Sequence, residues 1–232
     1  MVWFVALALV GGVLAVDHRA GWQGLLAHPV FASVLVGVIF GEMDAALSVG
    51  LPIELVYLSI LPMRGGRQTD PVTAGVVGSG TAALLARQSI GADPAVACAM
   101  SAFLGLAAGE VGARLTAPFF SLHNRLLSGL EFPAEMERRQ LARRLSLVHM
   151  GSVLFIFVVE GLTVLLLAAA AFYAGAAVTR VSEAAMVRGT AYWSVLVLAI
   201  GAASIVHLFW QHRFRYWLAA LAGLVVILLW IA

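Results

Sequence analysis

Lysine is absent from this 232-residue chain, whose 14 basic side chains are all arginine. That bias reflects genome composition rather than mechanism. Cysteine occurs once, at Cys98 inside the apolar run Ala97-Cys98-Ala99-Met100, which excludes a disulfide framework and a Cys-x-x-Cys metal pattern. A lone thiol in such a run reads as small, apolar helix packing. Charge is also scarce: 11% of residues are charged, and the formal net charge of +2 is too small for a nucleic-acid partner. The histidines His18, His28, His123, His149, His207 and His212 are scattered without the His-Glu-x-x-His spacing that sets two ligands on one helical face. They read as interfacial hydrogen-bonding groups, with His149, at the head of a long apolar run, the one to test. Ser59 and Ser89 lack a Gly-x-Ser-x-Gly context. No catalytic residue, metal site or cofactor is therefore expected in this chain.

What the chain has is hydrocarbon. Hydrophobic residues make up 62% of it and the mean hydropathy is +0.99, against roughly 45–50% apolar in soluble domains. The apolar residues come in runs of about 16 to 25, the length a helix needs to cross a bilayer. The fold class expected is all-α: a polytopic integral membrane protein of about seven to nine transmembrane or re-entrant helical segments, with broken helices in the N-terminal half. Met1 to Val16 has no basic residue before its apolar stretch and Arg19 after it, so it reads as a retained first crossing.

One membrane domain over residues 1–232 is expected, in three parts. Residues 1–120 form a substrate-site half, 121–148 a polar amphipathic connection, and 149–232 scaffold helices. Asp17-His18-Arg19 opens a short polar link, and His28-Pro29, Asp70-Pro71 and Asp93-Pro94 each place Pro in the first turn of a helix. Gly50, Pro52 and Pro62 should disrupt any straight helix through their region. Residues 121–148 contain five arginines and three glutamates interleaved with leucines, so they read as interfacial amphipathic helices on the cytoplasmic face. Glu110 and Arg114 lie at i and i+4 and should pair within the membrane. Glu160 falls inside the crossing Met150 to Val178. The last crossings, about Tyr192 to Trp210 and Tyr216 to Ile231, carry Trp193, Trp210, Trp217 and Trp230 at their ends as an aromatic belt.

Carboxylates in hydrocarbon are costly, about 2.5–3.5 kcal/mol for a central Asp on insertion scales. Glu42, Asp44 and Glu54 should therefore face protein or a water-filled cavity, although Glu42 and Asp44 can equally sit in an interfacial loop. Broken helices expose backbone donors and acceptors at the depth where a polar solute needs replacements for its water. A sugar fits: carboxylates accept from its hydroxyls, and the Gln88 amide donates and accepts.

These segments resemble a known family. His28-Pro29, Leu35-Val36-Gly37-Val38-Ile39-Phe40-Gly41-Glu42-Met43, then Glu54, Asp70 and Gln88-Ser89-Ile90-Gly91-Ala92 resemble membrane subunit IIC of the mannose/fructose/sorbose family of the bacterial phosphoenolpyruvate-dependent sugar phosphotransferase system. The likeness is carried by the first half of the chain, the second half matching in hydropathy and length. It implies a multi-pass protein of the bacterial cytoplasmic (inner) membrane, with a IID-type membrane subunit and cytoplasmic IIA and IIB proteins as partners in a hetero-oligomer. Sugar would be phosphorylated on uptake by a phosphoryl group delivered from IIB. The substrate-binding residues it implies are Glu54, Asp70, Gln88, Ser89 and Glu42.

The pattern departs from the family at Gly50-Leu51-Pro52-Ile53-Glu54, where the family carries a Gly-Gly-Thr run before the acid, and at Pro62-Met63-Arg64, which replaces an Asn-x-Gly. Arg64 and Arg67 add guanidinium groups that would alter specificity, toward an anionic or phosphorylated ligand. Two other readings stay open. One is a regulatory or scaffold subunit that has lost transport; the other is a transporter independent of phosphoryl transfer.

Overall fold

Three helices begin on one signal, a residue in extended conformation followed by proline. The computed structural model describes residues 1–20, 25–58, 70–90, 93–130 and 137–181, with Ala199 and Ala202. Its helices are α1 (Val2–Arg19), α2 (Pro29–Phe40), α3 (Met43–Leu58), α4 (Pro71–Arg87), α5 (Pro94–Ser128) and α6 (Arg138–Val181), with a short 3-10 turn at Leu25–Ala27. His28, Asp70 and Asp93 precede α2, α4 and α5, each with Pro in the first turn as expected. The Asp70 carboxylate accepts from the Thr73 amide at 3.0 Å and Asp93 from the Ala95 amide at 2.8 Å. Each carboxylate thus satisfies a backbone donor that the helix start leaves without an intrahelical partner.

Among the described residues there is no strand, and α1, α5 and α6 are long and apolar enough to cross a bilayer. The protein is an all-α membrane protein. Twelve-residue α2 covers only about 18 Å at 1.5 Å per residue, short of the roughly 30 Å hydrocarbon core.

The expected disruption at Gly50 and Pro52 does not occur, because α3 runs through both. Proline forfeits one ladder bond, but this segment is packed against α2, α4 and α5, which hold it helical. Gly50 has a packing role: a Cβ there would collide with the Ser33 side chain of α2. The break lies earlier. Gly41 takes the left-handed conformation, φ 72°, and the Glu42 amide closes onto the Gly37 carbonyl at 3.1 Å, stopping α2 in the manner of a Schellman motif. Pro62 lies outside the described residues.

Residues 121–148 also differ from expectation. The helices over this stretch are not separate short ones: α5 continues to Ser128, and α6 begins at Arg138 and runs on into the apolar segment. α5 runs through Pro118 before Gly129 caps it. Asp17-His18-Arg19 likewise forms the last turn of α1 instead of a link. The crossings expected after Tyr192, with their four tryptophans, lie outside the described residues apart from Ala199 and Ala202.

Side-chain pairs fix how the helices run. Trp3 of α1 meets Phe40 at the end of α2, with ring centroids 4.9 Å apart, and Arg87 at the end of α4 lies 4.6 Å over the Trp3 ring. Phe4 packs against Phe172 near the end of α6. At the other end Arg19 meets Glu160, and His28 meets Glu54. Successive helices therefore alternate in direction, and α4 sits in the middle with every other helix against it. Its residues Val72 to Leu85 are all buried. We call the end that holds Arg138, Arg139, Arg143 and Arg144 the basic end.

Small residues let α4 and α5 approach closely, as membrane helices require. A Cβ on Gly105 would lie 2.7 Å from both the Ala74 carbonyl oxygen and the Gly78 Cα. Those atoms are backbone and cannot swing aside. Gly105→Leu is expected to lower the melting temperature of the detergent-solubilised protein sharply, overpacking alone costing about 1–3 kcal/mol. An unchanged melting temperature would show that the two helices can separate freely.

Candidate functional site

Charge gathers where the ends of α1 and α3 meet the start of α4 and the middle of α6. Glu54, in the last turns of α3, receives His28 Nδ1 on Oε1 at 2.6 Å and the Val30 amide on Oε2 at 3.3 Å. The carboxylate thus covers the N-terminus of α2 from a neighbouring helix, where the helix dipole favours negative charge. Tyr57, one turn further along α3, donates to the backbone carbonyl of Asp70 at 3.4 Å. This joins the ends of α3 and α4.

Asp70 is 3% exposed. Its Oδ2 accepts from the Thr73 hydroxyl at 2.5 Å while Oδ1 takes the Thr73 amide. A carboxylate offers about four lone-pair sites. Among the described residues, the Glu160 carboxyl group also lies against that of Asp70.

The third acid is Glu160, on α6. It is 1% exposed and lies 2.9 Å from an Arg19 guanidinium nitrogen. The approach is not aligned as a hydrogen bond, and both carboxylate oxygens lack an aligned donor. Glu160 also feels the Asp70 carboxylate directly. The Arg19 guanidinium carbon also lies over the Phe120 ring, 4.2 Å from its centroid, so the group is held between an aromatic face and an acid.

The remaining sequence-derived candidates lie at the far end of α4, about 25 Å away for its 17 residues. Gln88 caps that helix, its amide bonded to the Leu84 carbonyl at 3.1 Å, and Ser89 adopts a left-handed φ of 51°. Both are exposed, whereas Glu42, at the α2–α3 turn, is half-exposed. Arg87 ties this end together by donating to the Phe40 carbonyl at 2.8 Å. Asp44 is exposed in the first turn of α3. Glu54 and Asp70 therefore share one end of the bundle, and Glu42, Gln88 and Ser89 share the other. Arg64 and Arg67 lie outside the described residues. So do Gly91 and Ala92.

A protein-family model described as PTS system sorbose-specific IIC component matches residues 1–230. The chain belongs to that family. The match extends through the second half, beyond the segments whose motifs carry the resemblance. No curated protein and no solved structure matches the chain. Membership in the IIC family makes this a sugar permease component of the phosphotransferase system.

Sequence reasoning missed Arg19, His28 and Glu160 as site residues. A signal was available for Glu160: an acid ten residues inside an apolar run needs a buried partner. Which cation supplies it depends on how α1 packs against α6. The Glu110–Arg114 pair, read from i,i+4 spacing, forms at 2.6 Å. Cys98 packs half-buried beside the Val49 and Ile53 cluster, as its apolar context implies.

Proposed function

We propose that this IIC-family chain carries sugar across the bacterial cytoplasmic membrane as a multi-pass subunit and that uptake is coupled to phosphorylation by a IIB protein. It acts with a IID-type membrane subunit and with cytoplasmic IIA and IIB proteins. Residues 1–120 supply the substrate half, 121–148 the connection and 149–232 the scaffold, within one domain of about seven to nine transmembrane or re-entrant segments. The observation that carries this reading is the family match over residues 1–230. Support for the pocket comes from buried Asp70 and part-buried Glu54 within an apolar bundle. In this reading Glu54 and Asp70 accept sugar hydroxyls there. Glu42, Gln88 and Ser89 contact the sugar at the opposite mouth.

The test is uptake and phosphorylation of labelled sugars in cells co-expressing the chain with its IID, IIA and IIB partners. Glu54→Gln keeps an acceptor for the Val30 amide but removes the charge. It is expected to cut uptake by roughly ten- to a hundredfold, since hydrogen bonds to charged groups contribute about 1.5–3 kcal/mol. Full uptake by that variant would remove Glu54 from the pocket. Accumulation of unmodified sugar without the cytoplasmic partners would replace coupled phosphorylation with plain transport.

A further inference from the structure

At the basic end, a cleft of about 780 Å³ opens along the second half of α5 and the last turn of α1. Its volume lies in the range of small-molecule sites, roughly 300–1,000 Å³. Arg19, Arg114 and Arg125 line it with a single acid, Glu110, and with Ser121 and Asn124. On α5, positions 110, 114, 117, 121, 124, 125 and 128 recur at three- and four-residue intervals, so the polar groups form one stripe facing the cleft.

The stripe has an unbalanced charge. Arg114 is held by Glu110 at 2.6 Å and Arg19 by Glu160 at 2.9 Å. Arg125 has no acidic partner among the described residues. A planar guanidinium on a cleft that Ser121 and Asn124 also line is suited to fork onto a phosphate while hydroxyl and amide groups meet the sugar. The arginines of α6 stand at this end of the molecule, the end the positive-inside rule turns to the cytoplasm.

The geometry points to a binding site for a phosphate monoester in this cleft, formed by Arg19, Arg114 and Arg125, whose ligand is the phosphorylated sugar leaving the pocket. The inference rests on the proposed function. It adds a product site next to the acids: Arg19 lines the cleft and also stands 2.9 Å from Glu160. The acids repel the phosphate dianion that the cleft attracts. A sugar that gains a phosphoryl group is thereby drawn from the carboxylates toward the arginines.

The experiment uses the full chain, co-purified with its membrane partner in nanodiscs of neutral lipid. Binding of a hexose 6-phosphate, the corresponding neutral hexose and inorganic phosphate is measured by calorimetry. Expected is hexose-phosphate binding at least tenfold tighter than inorganic phosphate, weakened by added salt and weakened about tenfold in Arg125→Gln, which removes one charge-assisted contact. Asn124→Ala, a milder change, should weaken it by a smaller factor. Unchanged binding in Arg125→Gln overturns the site. Loss of hexose-phosphate binding when phosphatidylglycerol is included, with no preference over inorganic phosphate in its absence, overturns the sugar ligand in favour of a lipid headgroup. Neutral hexose bound in a Glu54-dependent manner without any phosphate binding overturns this inference and leaves the proposed function standing. Binding of neither sugar, together with absent uptake, overturns both.

Discussion

Arg19→Leu is expected to destabilise the protein by about 3–5 kcal/mol, the cost of breaking a buried ion pair from one side, and the double variant Arg19→Leu with Glu160→Leu to recover much of that loss. Glu160 is 1% exposed, and Arg19 stands 2.9 Å from it. Removing the guanidinium leaves a carboxylate in a bundle interior that offers it no aligned donor among the described residues. Removing both charges fills the space with side chains that need no partner. Melting temperatures of the two variants in detergent decide the matter. If the single variant melts with the native protein, the pair contributes nothing to α1–α6 packing, and Glu160 holds its place by other means. The same variants separate stability from chemistry: a double variant that is stable yet inactive in uptake would assign the pair a functional role.

Asp70 offers the second large effect, because two roles coincide in one side chain. As the first cap of α4 it binds the Thr73 amide at 3.0 Å and the Thr73 hydroxyl at 2.5 Å. Asn caps a helix about as well as Asp, whereas Ala costs about 0.5–2 kcal/mol. Ala also leaves a buried amide without its acceptor, a further 1–3 kcal/mol or so. Asp70→Asn should therefore melt within about 1 kcal/mol of the native protein, and Asp70→Ala well below it. If the carboxylate also receives sugar hydroxyls, sugar uptake falls by roughly ten- to a hundredfold in both variants. Normal uptake in Asp70→Asn would leave Asp70 a structural cap alone.

The residues show which features were readable without coordinates. Pro after His28, Asp70 and Asp93 marks three helix starts because proline cannot donate and a carboxylate accepts from an early amide, and both facts are local. The Glu110–Arg114 pair is equally local, one turn of one helix apart. Pro52 misleads for the opposite reason. Its local cost is real, but contacts from three other helices decide the outcome. Gly41 supplies the turn instead, through a left-handed conformation that costs glycine little.

For the site, the motifs named the acids but not their grouping. Glu54 and Asp70 are 16 positions apart and share one end, while Asp70 and Gln88 are joined by a single helix and lie about 25 Å apart. A helix separates its own termini by its length, and a turn between antiparallel helices brings distant positions together. Composition and run length by themselves determined that the chain is a bundle of membrane helices, since no soluble fold of this size could cover so much apolar surface. Only the tertiary structure decided that Glu160 meets Arg19 and that His28 meets Glu54. Pairing across helices depends on which faces pack together, and the hydrophobic pattern of helices buried on many sides leaves that choice open.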